Sequence, residues 1–433
     1  MRNSPFWWIL IGFMVLLDFY VFQSVKVLTQ SAGSKTKLIV HISYWVISGL
    51  AITILVILPY LQFVQQHRLL RNTFFAIIAG LFFSKIIASV FFLVDDLRRG
   101  IQWVVGKVFF SNTKGETMEQ GVKISRSIFL SWAGTIVGGG LFTSLIYGFS
   151  NKYRYRIHRL QMAFDNLPAG FKGLKIVQIS DIHSGSFTNK QAVMRGVDMV
   201  LKENADLILF TGDLINDLAD EMNNYMGVFN RINAPMGVYS ILGNHDYGDY
   251  VTWPDKNEEH RRKENEAGKH LWTPLQKANL EKLKKIQAQL GWKLLLDEHV
   301  VLERNGDKIA LLGVQNWSSK VRFPKYGDLK KAYTGSEEYP FKILMSHDPS
   351  HWDAQVKTMY RDIDLTLAGH THGMQFGVEI PGFKWSPVQY VYKEWAGLYE
   401  DAKQKLYVNR GYGFIGYPGR VGILPEITVI ELV

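Results

Sequence analysis

The sequence predicts an α/β layered domain preceded by a bundle of about four membrane-spanning helices. Three observations carry that expectation. The long apolar runs lie before Ser150. After Leu174, short β-rich runs alternate with stretches of helical character. The Asp- and His-bearing motifs stand at the ends of those β-rich runs, where groups from several strands converge on one edge of a sheet. At 433 residues, two or three units are expected.

A spanning helix needs roughly 20 mostly apolar residues. Segments 6–25, 38–64, 73–94 and 128–149 meet that length, which makes residues 1–150 a transmembrane region. The first segment lacks a small-residue cleavage site and further spans follow it, so it reads as an uncleaved helix. Asp18 and Lys85 fall inside spans, where a charge is costly; they either pair or snorkel to an interface. Gly134 and Gly138 have the spacing of closely packed helices. The short apolar stretch 101–110 reads as lying on the membrane surface.

The net charge is +10, and Lys152, Arg154, Arg156 and Arg159 follow the last span. With spans present, lipid headgroups are the expected partner and nucleic acid is not. Residues 151–173 read as a basic linker, and 174–433 as the catalytic domain. Basic residues flank the spans on both sides, so the charge rule does not choose the side of the membrane. The segment Ser125–Leu130 resembles an export signal with one arginine missing. There are no cysteines, which excludes disulfides, Fe–S clusters, thiolate zinc sites and cysteine nucleophiles.

Strands are expected at 174–180, 207–210, 238–242, 309–313, 343–346 and 365–368, with helices at 191–203 and 275–290. Asp181 and His183 follow the first strand. Asp213 follows the second in Gly-Asp. Asn244, His245 and Asp246 follow the third in GNHD. His347 and Asp348 follow a later strand, and His370 and His372 follow the last in GHTH. One such piece alone is more often a turn or a structural histidine. All of them in order, each after an apolar strand, form a nitrogen and oxygen ligand set suited to Mn, Fe, Zn or Ni.

The ordered series DxH, GD, GNHD, H and GHxH resembles the calcineurin-like metallophosphoesterase superfamily, with most similarity to bacterial membrane-bound or exported members. The resemblance spans most of 174–373. It implies a four-layer α/β/β/α sandwich and two divalent metal ions. By that resemblance Asp181, His183 and His372 bind the first metal and Asn244, His347 and His370 the second, with Asp213 shared. It also implies that a dinuclear-metal-activated hydroxide attacks a phosphate ester or pyrophosphate. His245 would stabilise the transition state or protonate the leaving oxygen. Asp246 would orient His245 through a carboxylate–imidazole hydrogen bond, with a turn cap as the alternative.

Departures accompany the match. Residues 212–217 read GDLIND, with no arginine after the GD block, and no set of phosphate-gripping arginines is found. Residues 249–291 form a charged insertion, either a solvated helix and loop or a lid. Arg410 is read as reaching phosphate or as forming a structural ion pair. Trp317, Phe323, Trp385 and Tyr390 lie between motifs and either line a groove or pack inside.

The expectation is therefore an integral, multi-pass enzyme of a bacterial inner or plasma membrane, acting on a phosphate-containing substrate presented at the bilayer surface and lipid-linked. Hydrolysis of soluble phosphomonoesters or phosphodiesters is the alternative. An inactive phosphoesterase-like binding or sensor module is the alternative of another class.

Overall fold

The computed structural model describes residues 5–109, 126–267 and 271–433. The chain divides into two units, Met1–Gly148 and Phe149–Val433. The first holds α1 (Pro5–Thr29), α2 (Ser34–Ile57), α3 (Arg68–Phe109) and most of α4 (Arg126–Asn151). Four stretches in these helices are long and apolar enough to cross a membrane: Trp7–Thr29, Ser34–Tyr60, Leu69–Val105 and Ser127–Asn151. They overlap the four expected spans, and the third runs beyond its expected end at residue 94.

One expectation is corrected here. Residues 101–109 do not form a separate surface element but continue α3, which runs 42 residues. At 1.5 Å per residue that is about 63 Å, roughly twice a hydrocarbon core. No proline interrupts it. Asp95 supports the extension by pairing with Arg98 at 2.9 Å and Arg99 at 3.2 Å, three and four residues on. Phe110 and Ser125, part of two sequence readings, lie outside the described residues.

Asp18 and Lys85 pair. Ser48 donates to the same Asp18 oxygen at 2.9 Å and Tyr44 at 3.1 Å, and Lys85 also donates to Ser48 at 2.7 Å. The glycine pattern in α4 is used for close approach: a Cβ on Gly138 would lie 2.7 Å from the Ser84 carbonyl of α3, and one on Gly134 2.8 Å from that of Ala88.

Among its described residues the second unit holds fourteen strands. They are β1 (Arg156–Met162), β2 (Lys175–Ile179), β3 (Leu207–Phe210), β4 (Val238–Ser240), β5 (Lys293–Leu294), β6 (Glu298–Arg304) and β7 (Asp307–Gly313). There follow β8 (Lys342–Met345), β9 (Leu365–Ala368), β10 (Val378–Ile380), β11 (Phe383–Trp385), β12 (Gly397–Asp401), β13 (Gln404–Val408) and β14 (Glu426–Leu432). One six-stranded sheet has the order β1-β14-β2-β3-β4-β5, and the other β12-β13-β9-β8-β7-β6. Both mix parallel and antiparallel pairs, and β10 and β11 form a separate hairpin.

Alternation along each strand assigns the layers. Ile176, Leu207, Leu209, Leu311, Ile343 and Leu367 pack together between the sheets. Val177, Ile179, Ile208 and Phe210 face outward and are covered by α5 (Lys190–Lys202) through Val193 and Val197. Leu312, Leu344 and Val408 face the other way, against Trp352 and Val356. Helices, sheet, sheet and helices make the expected four layers.

Residues 151–173 are not a linker. They contain β1, which pairs in parallel with β14 from Arg156↔Glu426 to Met162↔Leu432. The basic cluster disguised it. Arg156 and Arg159 are charges on an edge strand, and Arg159 pairs with Glu203 at 2.6 Å. The charged insertion also resolves. Its second half is α7 (Pro274–Gln289), capped by Thr273 and buried through Leu280, Leu283 and Ile286. Its first half holds the polar helix α6 (Glu258–Ala267), with Lys256 paired to Glu264 at 2.9 Å. Residues 268–270 lie outside the described ones.

Candidate metal centre

Each motif leaves the C-terminal end of a parallel strand. Asp181 and His183 follow β2, Asp213 follows β3 and Asn244 follows β4, all in one sheet. His347 follows β8, and His370 and His372 follow β9, in the other. The folded chain brings these seven residues together from both sheets.

Backbone strain marks the place. Asp181, His183, Asp213, His370 and His372 all have left-handed φ, between 50° and 71°. Such conformations cost of order 1–3 kcal/mol each and persist only where the surroundings impose them. The motif glycines are explained by contact. A Cβ on Gly243 would lie 2.2 Å from Asp213 Oδ1, and one on Gly369 2.2 Å from Asp181 Oδ2.

Two donor groups result. Ligand atoms of Asp181, His183 and His372 lie within 4.8 Å of one another, as do those of Asp181, Asp213 and His347. His183 Nε2 stands 3.0 Å from His372 Nε2, and His372 Nε2 stands 3.3 Å from Asp181 Oδ1. His347 Nε2 lies 3.1 Å from Asp213 Oδ2. Asn244 Oδ1 sits 3.2 Å from His347 Nε2 and 2.7 Å from His370 Nδ1.

Neighbouring groups orient the rings. His347 Nδ1–H donates to the Thr211 carbonyl at 2.7 Å, which turns Nε2 toward the Asp213 carboxylate. Tyr392 OH lies 2.9 Å from His370 Nε2 and donates to Asp348 at 3.0 Å, which leaves Nδ1 facing Asn244. The Asn244 amide donates to Tyr250 OH at 2.9 Å, so its oxygen is the inward atom.

The electrostatics fit a cation. Burial pushes His183 down to about 3 and His370 to about 4, and holds His372 well below its ordinary value. These rings are neutral and their lone pairs are available. Burial raises Asp181 to about 6. Burial works against charge on His347 as well, but Asp213 and Asp181 override it and raise it to about 10. The buried carboxylates thus draw positive charge onto the nearest group that can carry it. Nitrogen and oxygen lone pairs converge here in a form suited to divalent metals.

His245 is half-buried, and its Nδ1–H donates to the Asn216 carbonyl at 2.7 Å. Its Nε2 is therefore the ring nitrogen that Asn216 leaves unengaged. Asp246 does not orient it, which corrects one of two readings from the sequence. The Asp246 carboxylate accepts the backbone N–H groups of Asp213, Leu214 and Gly243 at 2.9 Å and of Ile215 at 3.3 Å. It is a clamp on the GD and GNHD turns, because an inward carboxylate is nearer to four orphan donors than to the ring.

Arg410 does not reach the site. It is buried between Glu379 and Glu426, with the latter at 2.6 Å. Of the four loop aromatics, Phe323 meets a motif residue, edge-on to His370 with centroids 4.6 Å apart. Trp317 instead stacks on His351 at 4.4 Å, and Tyr390 is 78% exposed. Asn216, Tyr250, Tyr392 and the buried Arg420 were missed. Asn216 acts through its backbone carbonyl, which leaves no mark in the sequence. Tyr392 and Arg420 stand outside any motif. Arg420 donates to the carbonyls of Arg410 at 2.7 Å and Gly411 at 3.2 Å, beside His372.

Comparison with known proteins agrees with this arrangement. The family model "Calcineurin-like phosphoesterase" matches residues 174–374, and "Probable Calcineurin-like phosphoesterase, transmembrane domain" matches residues 1–152. The "Uncharacterized metallophosphoesterase YkuE" of Bacillus subtilis is 29% identical over 327 residues, covering 72% of this chain and 98% of its own length. The "Transmembrane protein with metallophosphoesterase domain" of Danio rerio is 28% identical over 66% of this chain, which spans 60% of that protein. The "UDP-2,3-diacylglucosamine pyrophosphatase LpxG" of Chlamydia muridarum is 27% identical over 60% of this chain and 83% of its own.

Proposed function

On the footing that the chain belongs to the calcineurin-like phosphoesterases, as a multi-pass membrane hydrolase, we propose that it cleaves a lipid-linked phosphate ester or pyrophosphate at the bilayer surface. The observation that carries the chemistry is the convergence of seven buried or half-buried nitrogen and oxygen ligands from two sheets. Asp181, His183 and His372 would hold one divalent metal, Asn244, His347 and His370 the second, and Asp213 both. When bound, such a pair lowers the pKa of water and stabilises charge on phosphoryl oxygens.

The protein's own groups do the rest. Thr211 and Tyr392 each hold one ring nitrogen of His347 and His370, which turns the other nitrogen toward the site. The strained turns and their glycines fix the carboxylates before substrate arrives, so reorganisation is small. His245, fixed at Nδ1 by Asn216, holds or receives a proton at Nε2 for the leaving oxygen. One water is consumed, one phosphorus–oxygen bond breaks, and the leaving group departs as the alcohol or phosphate.

Two observations favour a lipid-linked substrate: the four membrane-crossing helices, and the name of the Chlamydia relative. The test uses the full chain in mixed micelles with Mn, Fe, Zn or Ni. Bis-(p-nitrophenyl) phosphate should be hydrolysed, and turnover with none of these metals removes the phosphoesterase reading. A lipid-linked diphosphate should exceed its water-soluble counterpart in kcat/KM by about tenfold or more; equal values favour soluble esters instead.

A further inference from the structure

The GD loop carries no arginine, so any fixed positive charge that adds to the metals' grip on phosphate comes from elsewhere. Arg410 and Arg420 do not supply it, since both are held inside by carboxylates or carbonyls. Another segment does. The loop 314–328 after β7 carries Lys320, Arg322 and Lys325 within six residues. Among the described residues, no carboxylate lies within ion-pair distance of any of the three.

This loop is anchored. Asn316 Nδ2 donates to the Pro324 carbonyl at 2.8 Å, and the Asn316 carbonyl accepts from Tyr326 and Gly327 at 2.8 and 3.0 Å. Ser319 N–H donates to Ser350 Oγ at 3.0 Å, and Phe323 N–H to the Lys320 carbonyl at 3.1 Å, closing a turn. The tip residue Val321 is fully exposed. The loop's inner side meets the metal centre, where Phe323 stands edge-on to His370. Lys320 Nζ lies 5.3 Å over the ring of Tyr392, whose hydroxyl is 2.9 Å from His370 Nε2. Arg322 is exposed in the same turn, directly before Phe323 in the chain. Lys320 therefore stands beside the tyrosine that orients His370, and Arg322 next to the residue whose ring packs on His370.

We propose that Lys320 and Arg322 bind a second phosphate of the substrate, adjacent to the one cleaved, and so select diphosphate-linked substrates over single-phosphate esters. This rests on the phosphoesterase reading and narrows its substrate class. A lysine supplies a movable point charge, and an arginine a two-pronged donor for phosphate oxygens. Neither needs to break an ion pair with a described carboxylate in order to bind.

The test is titration of the Mn-loaded full chain in detergent with methylenediphosphonate and with methylphosphonate. The wild type should bind the first about tenfold more tightly or better, as charge-assisted bonds to the second phosphorus add affinity. Lys320→Gln with Arg322→Gln should abolish that preference, while Lys320→Arg with Arg322→Lys should retain most of it. Chelation of free metal is common to all three proteins and cancels in the comparison. A wild type without the preference, or a Gln double variant that keeps it, overturns the proposal. So does a preference sensitive to the variant only in nanodiscs containing phosphatidylglycerol, since the cations then serve lipid headgroups. Turnover of bis-(p-nitrophenyl) phosphate by the wild type is read separately. Its absence would count against the phosphoesterase reading, while the titration still decides the role of the loop.

Discussion

Asp18 in the membrane-spanning unit and Asp213 in the catalytic unit are both shut away from solvent, at 0% and 1% exposure. Their surroundings differ in kind. Asp18 meets a lysine and two hydroxyls, all donors, so the charge is answered within the helices. Asp213 meets His347, the backbone N–H of His245 and a second buried carboxylate, with three neutral imidazoles close by. Lone pairs there outnumber the groups that can answer them. A buried charge with its own counter-ion is a structural device, and a buried set of converging acceptors is a place for a cation.

The contrast can be broken most severely at Asp213. Asp213→Asn keeps the shape and removes the shared charge, and turnover of bis-(p-nitrophenyl) phosphate should fall about a thousandfold or more. Metal content by mass spectrometry should fall with it, and near-normal values of both would sink the assigned site. Stripping metal with a chelator should also abolish turnover and lower the melting temperature of the full chain. Added Mn should restore both, since an ion that binds only the folded state stabilises it. A melting temperature indifferent to metal would mean that the donor set is satisfied without one.

His245→Ala sharpens the comparison, because His245 belongs to the site without belonging to the ligand set. We expect kcat to fall about a hundredfold with metal content unchanged. Loss of metal in that variant would instead make His245 a ligand. In the membrane unit, Lys85→Met strands the Asp18 carboxylate and should cost about 3 kcal/mol in detergent unfolding. Adding Asp18→Asn should recover most of that loss. Equal stability of the single and double variants would show that the pair is not a unit.

The smallest effect concerns Glu426, a buried charge of the self-answered kind inside the catalytic unit. Burial works to raise its carboxyl, but Arg410 beside it prevails and holds it near 2, below the ordinary 4.5. The unfolded chain therefore takes up that proton first as pH falls. The stabilisation is complete above about pH 4.5 and disappears as pH drops toward 2. The difference in unfolding midpoint between wild type and Glu426→Gln should shrink across that window. A difference independent of pH would mean that shape, and not charge, holds Glu426.

Much of this was legible in the residue order, for definite reasons. Spans show themselves because lipid demands roughly 20 apolar residues in a row, and each of those runs lies largely within a described helix. The motif residues show themselves because strand ends carry them in a fixed series, and Asp181, Asp213 and His372 do converge. Strand β1 was obscured because an edge strand is charged on purpose, so Arg156 and Arg159 imitate a basic linker. The end of α3 was obscured because charged residues 95–99 look like a boundary until they are seen pairing along one helix.

The sequence by itself determined the chemistry available: which side chains can ligate a metal, that none is a thiol, and that part of the chain belongs in lipid. Only the tertiary structure decided what each group faces. Asp246 clamps two turns and leaves His245 to Asn216, Arg410 turns to Glu426, and Lys320 arrives beside a centre to which no motif connects it. The reason is physical. Composition and spacing specify donors and acceptors, but a hydrogen bond is a distance and an angle, and those exist only once both sheets have closed on one another.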